Sequence, residues 1–135
     1  FVEAVSNSEN KVNCWGSGKP MREFLHVDDL GEACLEILKK WDPDSIDAPK
    51  DSNGKPLYFL NVGTGKDITI KDLAYLIAEA TNFKGNIEWD STKPDGTPRK
   101  LLDITRINQL GWKPKIELKK GIKDTVDLYK ISNKI

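Results

Sequence analysis

Two segments concentrate the residue types that could do chemistry: Trp15-Gly16-Ser17-Gly18-Lys19-Pro20-Met21-Arg22 and Lys93-Pro94-Asp95-Gly96-Thr97-Pro98-Arg99-Lys100. A guanidinium fork such as that of Arg22 matches the oxygens of a phosphate, and an indole face such as that of Trp15 covers a flat ring or a sugar. A carboxylate held in a rigid turn, as at Asp95, accepts hydrogen bonds from hydroxyl or ring N–H groups, while Lys93, Arg99 and Lys100 surround it with positive charge. Such a set suits an anionic ligand with an aromatic or sugar part. Each residue also has a plainer reading. By type alone, Arg22 fits a surface ion pair, Trp15 fits core packing, Asp95 fits a structural role in an excellent turn sequence, and the cations fit a solvated charge run.

Other residues invite chemical readings that their surroundings weaken. His26 is the sole histidine. It lies between Leu25 and Val27, where a hydrogen-bonded, partly buried imidazole is expected rather than a general base. Gly63-Thr64-Gly65 has the look of a phosphate loop but lacks the further glycine spacing and the Lys-Ser/Thr pair, so it reads as a strand-to-helix turn. Cys14 and Cys34, the two cysteines, are expected to be buried thiols rather than a disulfide. Two Cys and one His at no finger-like spacing assemble no metal site.

The elements that must position these residues follow from periodicity. Phe1, Val2 and Val5 read as the last turns of a helix ahead of a polar turn, and the expectation is that the sequence begins inside a larger protein. Lys11 to Trp15 reads as a strand, Gly16 to Pro20 as a turn, and Glu23 to Val27 as a second extended piece. Leu30, Ala33, Cys34, Ile37, Leu38 and Trp41 form a helical stripe, with Asp29 and Glu32 at capping-box spacing. Asp42 to Pro56 is a long loop, and Leu57 to Val62, apolar except for Asn61, reads as a strand buried on both faces. Thr69 caps a helix with Ile70, Leu73, Ala74, Ile77 and Ala78 on one side, running to about Asn82. Asn86 to Trp89 is a short strand, and the segment from Lys93 to Arg99 is irregular. Asp103 caps a brief helix stopped by Gly111, and a last helix from about Leu118 carries an internal Gly121. The expected fold class is α/β, with about four helices and short strands.

With 135 residues, 38% hydrophobic and 31% charged, the chain fits one domain. Its 21 Lys+Arg balance 21 Asp+Glu. A net charge of zero without a basic stripe argues against a nucleic-acid partner, and apolar runs of only a few residues argue against a membrane one. The cytoplasm is the expected compartment.

The two opening segments, together with Phe24 to Asp29, Asn61 to Gly65, Leu101 to Asp103 and Gly111-Trp112-Lys113-Pro114, resemble the substrate half of the GDP-L-fucose synthases, which are extended short-chain dehydrogenases/reductases. The Arg-Glu-Phe-x-His-Val-Asp-Asp and Gly-Trp-x-Pro pieces are common among extended reductases and epimerases. Lys-Pro-Asp-Gly-Thr-Pro-Arg-Lys is the narrower signal. The resemblance implies that residues 1–135 form a single C-terminal substrate-binding domain, with the N-terminal Rossmann cofactor domain absent. It implies substrate-binding roles for Trp15, Arg22, Asp95 and Lys100, with Arg99 a neighbour, and catalytic or cofactor-binding roles for none of these residues. For the intact parent it implies NADPH, a homodimer, and conversion of GDP-4-keto-6-deoxy-D-mannose to GDP-L-fucose by epimerisation and reduction. Residues 1–135 alone are expected to be inactive. Two alternatives stay open: another nucleotide-sugar epimerase or dehydratase, and a non-catalytic nucleotide- or carbohydrate-binding module.

Overall fold

A computed structural model describes residues Phe1–Lys134. In chain order its elements are α1 (Val2–Ser6), β1 (Lys11–Trp15), β2 (Met21–Glu23), α2 (Val27–Lys40), β3 (Asp67–Thr69), α3 (Ile70–Thr81), β4 (Asn86–Asp90), β5 (Arg99–Lys100), α4 (Thr105–Gln109) and α5 (Leu118–Asn133). The α/β class is as expected, and of the five helices among the described residues two, α1 and α4, are only five residues long. The chain groups into two compact units, one made of Phe1–Arg22, Asp67–Lys100 and the segment from Glu117 onward, the other of Glu23–Lys66 and Leu101–Ile116. No helix among the described residues is long and apolar enough to cross a membrane.

In the first unit β1 and β4 pair in parallel, Lys11 opposite Asn86 through Trp15 opposite Asp90. Ala4, Ala78 and Phe83 are buried with Phe1, Val12 and Ile87 packed against them, and the rings of Phe1 and Phe83 meet edge to face at 5.5 Å. The α3 helix starts where the sequence says it should. The Thr69 hydroxyl oxygen accepts the Asp72 N–H at 3.0 Å and donates its own proton to the Asp72 carboxylate at 2.6 Å, so two polar side chains satisfy the helix entrance reciprocally. Asn82 ends the helix in the left-handed conformation. Two side-chain pairs tie α5 to the rest of this unit, Lys119 with Glu79 at 2.6 Å and the Tyr129 hydroxyl donating to Glu3 at 2.9 Å.

The second unit is built on Ala33, Ile107 and Trp112, all buried, with Leu25, Ile37, Val62 and Ile104 around them. Here several expectations need correction. The second extended piece is Met21–Glu23 rather than Glu23 to Val27, since Val27 already belongs to α2. That helix is capped by His26, whose Nδ1 accepts the Asp28 N–H at 3.2 Å, not by Asp29. Asp29 lies one turn further in, 2% exposed. Its carboxylate accepts the main-chain N–H groups of Lys115, at 3.1 and 3.2 Å, and Ile116, at 2.9 Å. The inward face of α2 therefore runs through Asp29, Ala33 and Ile37 at i, i+4 and i+8. Cys34 and Leu38 fall outside it and are exposed, so the expectation of two buried thiols fails at Cys34; Cys14 is half-buried, and burial pushes its thiol pKa up. A purely apolar stripe was too simple a guide, because a carboxylate with main-chain partners can take a core position.

Leu57 to Val62 is not a strand. Leu57 is buried, yet Tyr58 and Phe59 are 70% and 67% exposed. Apolar composition fits a buried strand, but a strand also needs a neighbour to ladder with, and among the described residues none runs alongside. The run is held piecemeal instead, the Leu57 N–H donating to the Pro49 carbonyl at 3.0 Å and the Asn61 side-chain amide to the Asp103 carbonyl at 3.2 Å.

Asp29→Ala strands buried N–H groups and should lower stability by about 2–3 kcal/mol, the usual cost of losing a charged acceptor and leaving donors unsatisfied. Asp28→Ala, at an exposed first-turn position, should cost less than about 1 kcal/mol. Chemical denaturation of both variants checks the contrast.

Candidate functional site

Parallel pairing of β1 and β4 sends the chain out of both strands at the same end, and the ladder continues as the Gly16 N–H donates to the Asp90 carbonyl at 2.9 Å. Residues 16–20 and 91–98 thus leave side by side. Asp90 starts the second turn: its Oδ1 accepts the Thr92 N–H at 3.0 Å and the Thr92 hydroxyl at 2.5 Å. Gly16 has φ +82°, a left-handed conformation, and a Cβ there would come within 2.5 Å of Asp95 Oδ1. Only glycine meets both demands.

The two segments are joined through Ser17, whose main-chain N–H donates to Asp95 Oδ1 at 2.8 Å and whose hydroxyl donates to Oδ2 at 2.5 Å. These bonds, the hydroxyl's first, together with the Lys19 charge, hold the Asp95 carboxyl below its ordinary pKa against some desolvation. Trp15, at the end of β1, is 75% exposed, and Lys93 Nζ lies 5.5 Å from the centre of its ring. Trp15 is therefore not a core residue.

Arg22 is placed by a second small sheet of strand order β3-β2-β5. Met21 pairs with Arg99 and Arg22 with Lys100 in a parallel ladder, extended as the Met21 N–H donates to the Pro98 carbonyl at 2.8 Å. One Nη of Arg22 donates to the Met21 carbonyl at 2.6 Å, and the other lies 3.1 Å from where a Cβ on Gly96 would sit. Trp15, Gly18, Pro20, Arg22, Ile70, Pro94, Asp95 and Gly96 together line a pocket of about 140 Å³. The structure thus gathers three of the four expected substrate-binding residues, Trp15, Arg22 and Asp95. Lys100 is exposed and does not line the pocket, but as the ladder partner of Arg22 it leaves the sheet on the same face. Neither cation pairs with a carboxylate among the described residues.

Arg99 is otherwise engaged. Its Nε and one Nη donate to the two oxygens of Asp67 at 2.5 and 3.2 Å, and the Asp67 side chain is 7% exposed. The guanidinium's hydrogen bonds draw the Asp67 pKa down, and the carboxylate's raise that of Arg99. His26 is partly buried and hydrogen-bonded, as expected. The Gly63-Thr64-Gly65 turn does gather main-chain N–H groups, but those of Thr64 and Gly65 both donate to Glu23 Oε1 at 2.5 Å, while Glu23 Oε2 accepts the Leu102 N–H at 3.1 Å. An internal carboxylate takes the place where a phosphate would have to go. Sequence reasoning missed Glu23 in this role, and missed Ser17, whose partner is 78 positions away with no signal in local spacing. It missed the walls from Pro20 and Ile70 as well, since apolar side chains next to a turn look like any others.

The model of the NAD dependent epimerase/dehydratase family matches residues 1–53. A putative GDP-L-fucose synthase 2 from Arabidopsis thaliana is 46% identical over 129 residues, 96% of this chain and 35% of that protein. GDP-L-fucose synthase from Escherichia coli (strain K12) is also 46% identical over 129 residues, 96% of this chain and 39% of that protein. Among solved structures, a GDP-6-OMe-4-keto-L-xylo-heptose reductase from C. jejuni superposes with a TM-score of 0.79 at 38% identity, covering 92% of this chain and 35% of that one. A GDP-L-fucose synthetase from Naegleria fowleri bound to NADP superposes with a TM-score of 0.74 at 26% identity, covering 98% and 37%. The chain is similar over 96% of its length to these two curated relatives, and it spans 35% to 39% of theirs.

The Arg99–Asp67 pair gives a pH signature. Because the folded pKa of Asp67 is lowered, the pair's contribution is complete above the unfolded carboxylate pKa of about 3.9 and is lost as pH falls through the folded value. The melting temperature of Asp67→Asn should lie below wild type at pH 7, and the gap should close as pH falls towards about 2. Thermal melts across that range measure it.

Proposed function

We propose that residues 1–135 form the single substrate-binding domain of a GDP-L-fucose synthase, which converts GDP-4-keto-6-deoxy-D-mannose to GDP-L-fucose by epimerisation and NADPH-dependent reduction. The observation that carries this reading is Arg22: a half-buried arginine without a carboxylate partner among the described residues lines the same pocket as an exposed indole, and its ladder neighbour Lys100 is a second cation without one among them. Paired cations on one sheet face suit a diphosphate, and Trp15 and Asp95 are at hand for the base, ribose or hexose. Trp15, Arg22, Asp95 and Lys100 are the proposed substrate-binding residues. The relatives named as GDP-L-fucose synthases support GDP over other nucleotides.

NADPH belongs to the proposed parent rather than to these residues. The glycine turn after the apolar run has its N–H groups on Glu23, so it offers no cradle for the cofactor's phosphates. The hydride comes from NADPH when it is bound to a Rossmann portion of the parent. The part played here is to bind and orient the GDP-sugar. The reading includes a cytoplasmic parent that forms homodimers. A rival reading is that of an epimerase for another nucleotide sugar, since a UDP-glucose 4-epimerase from Thermotoga maritima superposes with a TM-score of 0.76 at 28% identity. The Lys93 to Lys100 segment favours the GDP-sugar, and a binding screen of GDP-, UDP- and dTDP-sugars decides between them.

Arg22→Ala and Lys100→Ala should each weaken GDP-fucose binding roughly 10- to 150-fold, the equivalent of about 1.5–3 kcal/mol for one charge-assisted contact. Added salt should weaken it too, because a partly exposed diphosphate is screened over about 8–10 Å. NMR titration reads both effects, and affinities within twofold of wild type in folded variants would make these residues ordinary surface charges. Titrating the 135-residue chain with NADPH by fluorescence should give no saturable binding, and a coupled assay no turnover.

A further inference from the structure

The pocket holds a liability. Asp95 and Arg22 line the same small volume, and an ionised carboxylate free to turn would pair with the guanidinium, cancelling the charge that an anionic ligand needs. Gly96, next to Asp95 in the chain, already lies against one Nη of Arg22. Yet no Arg22–Asp95 ion pair forms among the described residues. Both oxygens of Asp95 are turned instead toward Ser17, which supplies one donor to each. Those two contacts are also the hydrogen bonds that join residues 16–19 to residues 93–96 among the described residues. The Ser17 hydroxyl is itself fixed, since its oxygen accepts the Lys19 N–H at 3.2 Å and its proton is thereby left for Asp95.

We infer that Ser17 is a positioning residue that holds the Asp95 carboxylate away from Arg22, keeping the guanidinium unpaired for the diphosphate of an incoming nucleotide. The inference rests on the nucleotide-sugar reading of this pocket. Physically it is preorganisation: the ligand neither has to break an internal ion pair nor has to order two separate turns when it binds. Backbone geometry alone does not provide this. With the hydroxyl gone, the Ser17 N–H still holds one oxygen of Asp95, but the other is no longer held away from Arg22, which lines the same pocket. The lowered pKa of Asp95 agrees with a carboxylate held ionised by these donors, and an ionised carboxylate is the species that would otherwise compete for Arg22.

The test is a double-mutant cycle on the 135-residue chain, with GDP as the probe and NMR chemical-shift titration as the readout. Ser17→Ala should weaken GDP binding about tenfold, the low end of what a charge-assisted contact to Arg22 carries. In the Asp95→Asn background, where the side chain keeps an acceptor oxygen but has no charge to offer Arg22, Ser17→Ala should change affinity by less than about twofold. Ser17→Thr keeps the hydroxyl and should bind like wild type; Ser17→Cys, a weaker donor of similar shape, should fall between, and it carries the comparison if the Ala variant loses its fold. An equal loss on Ser17→Ala in both backgrounds would mean that Ser17 only shapes the turn, and the inference fails while the nucleotide reading stands. It fails in the same way if Ser17→Ala binds normally while Arg22→Ala does not. If GDP fails to bind the wild-type chain, or Arg22→Ala leaves its affinity unchanged, the nucleotide reading itself fails and takes the inference with it.

Discussion

Carboxylates that accept main-chain N–H groups from distant parts of the sequence are the interaction on which this structure depends. Asp29 reaches 86 and 87 positions along the chain to Lys115 and Ile116, Glu23 reaches 41 and 42 to Thr64 and Gly65 and 79 to Leu102, and Asp95 reaches 78 to Ser17. The unit containing Asp29 and Glu23 has a small apolar core of Ala33, Ile107 and Trp112, and its long loop and turns offer few ladder hydrogen bonds. Irregular backbone must still satisfy its donors. A charged acceptor does so more strongly than a neutral carbonyl, and one carboxylate can take several donors at once. The cost is desolvation of the charge, which is tolerable because each of these carboxylates has at least two donors.

Engagement by a carboxylate likewise separates Arg99 from Arg22. Arg99 and Arg22 sit on neighbouring strands, and either could meet a phosphate by type. Arg99 has both ends of its fork on Asp67, whereas among the described residues Arg22 reaches only its neighbour's carbonyl and has no counter-charge. A guanidinium that is half-buried and uncompensated is unfavourable unless a ligand completes it. Among anion-binding candidates, the unpaired cation is the informative one. The glycine turn at residues 63–65 makes the opposite case, since its donors already have their anion in Glu23.

Much of the local structure was legible because local rules set it. The α3 helix, its Thr69 cap and its stop near Asn82 come from periodicity and capping, and β1 falls on the residues whose alternation marks it. The failures share a cause. Leu57 to Val62 looked like a strand, but strand formation depends on a partner that composition does not reveal. The inward face of α2 differs from the apolar stripe because Asp29, which has the spacing of a cap, occupies a core position that only Lys115 and Ile116 explain. At the candidate site, residue types pointed to Trp15, Arg22 and Asp95, and the structure brings them to one pocket; they did not reveal that Arg99 is held by Asp67 or that Ser17 holds Asp95. Chemistry is written in residue type, whereas engagement is written in contacts between residues far apart in sequence.

Motifs shared with many reductases and epimerases divide along the same line. The Glu23, His26 and Asp29 of the widely shared Arg-Glu-Phe-x-His-Val-Asp-Asp piece all serve the backbone here: Glu23 fills a turn, His26 caps α2, and Asp29 holds the segment that follows Gly111-Trp112-Lys113-Pro114. A motif with that role fits any enzyme of the fold, whatever its nucleotide. Arg22 is the exception within it, and it gains its surroundings from the narrower Lys93 to Lys100 segment, which supplies Pro94, Asp95 and Gly96 to the pocket and Lys100 to the ladder. On the proposed reading, ligand choice resides where a general cation meets a particular loop. On that reading, a change in the loop alters what surrounds Arg22 without disturbing the carboxylates that hold the fold, which is the physical condition for one architecture to serve many ligands.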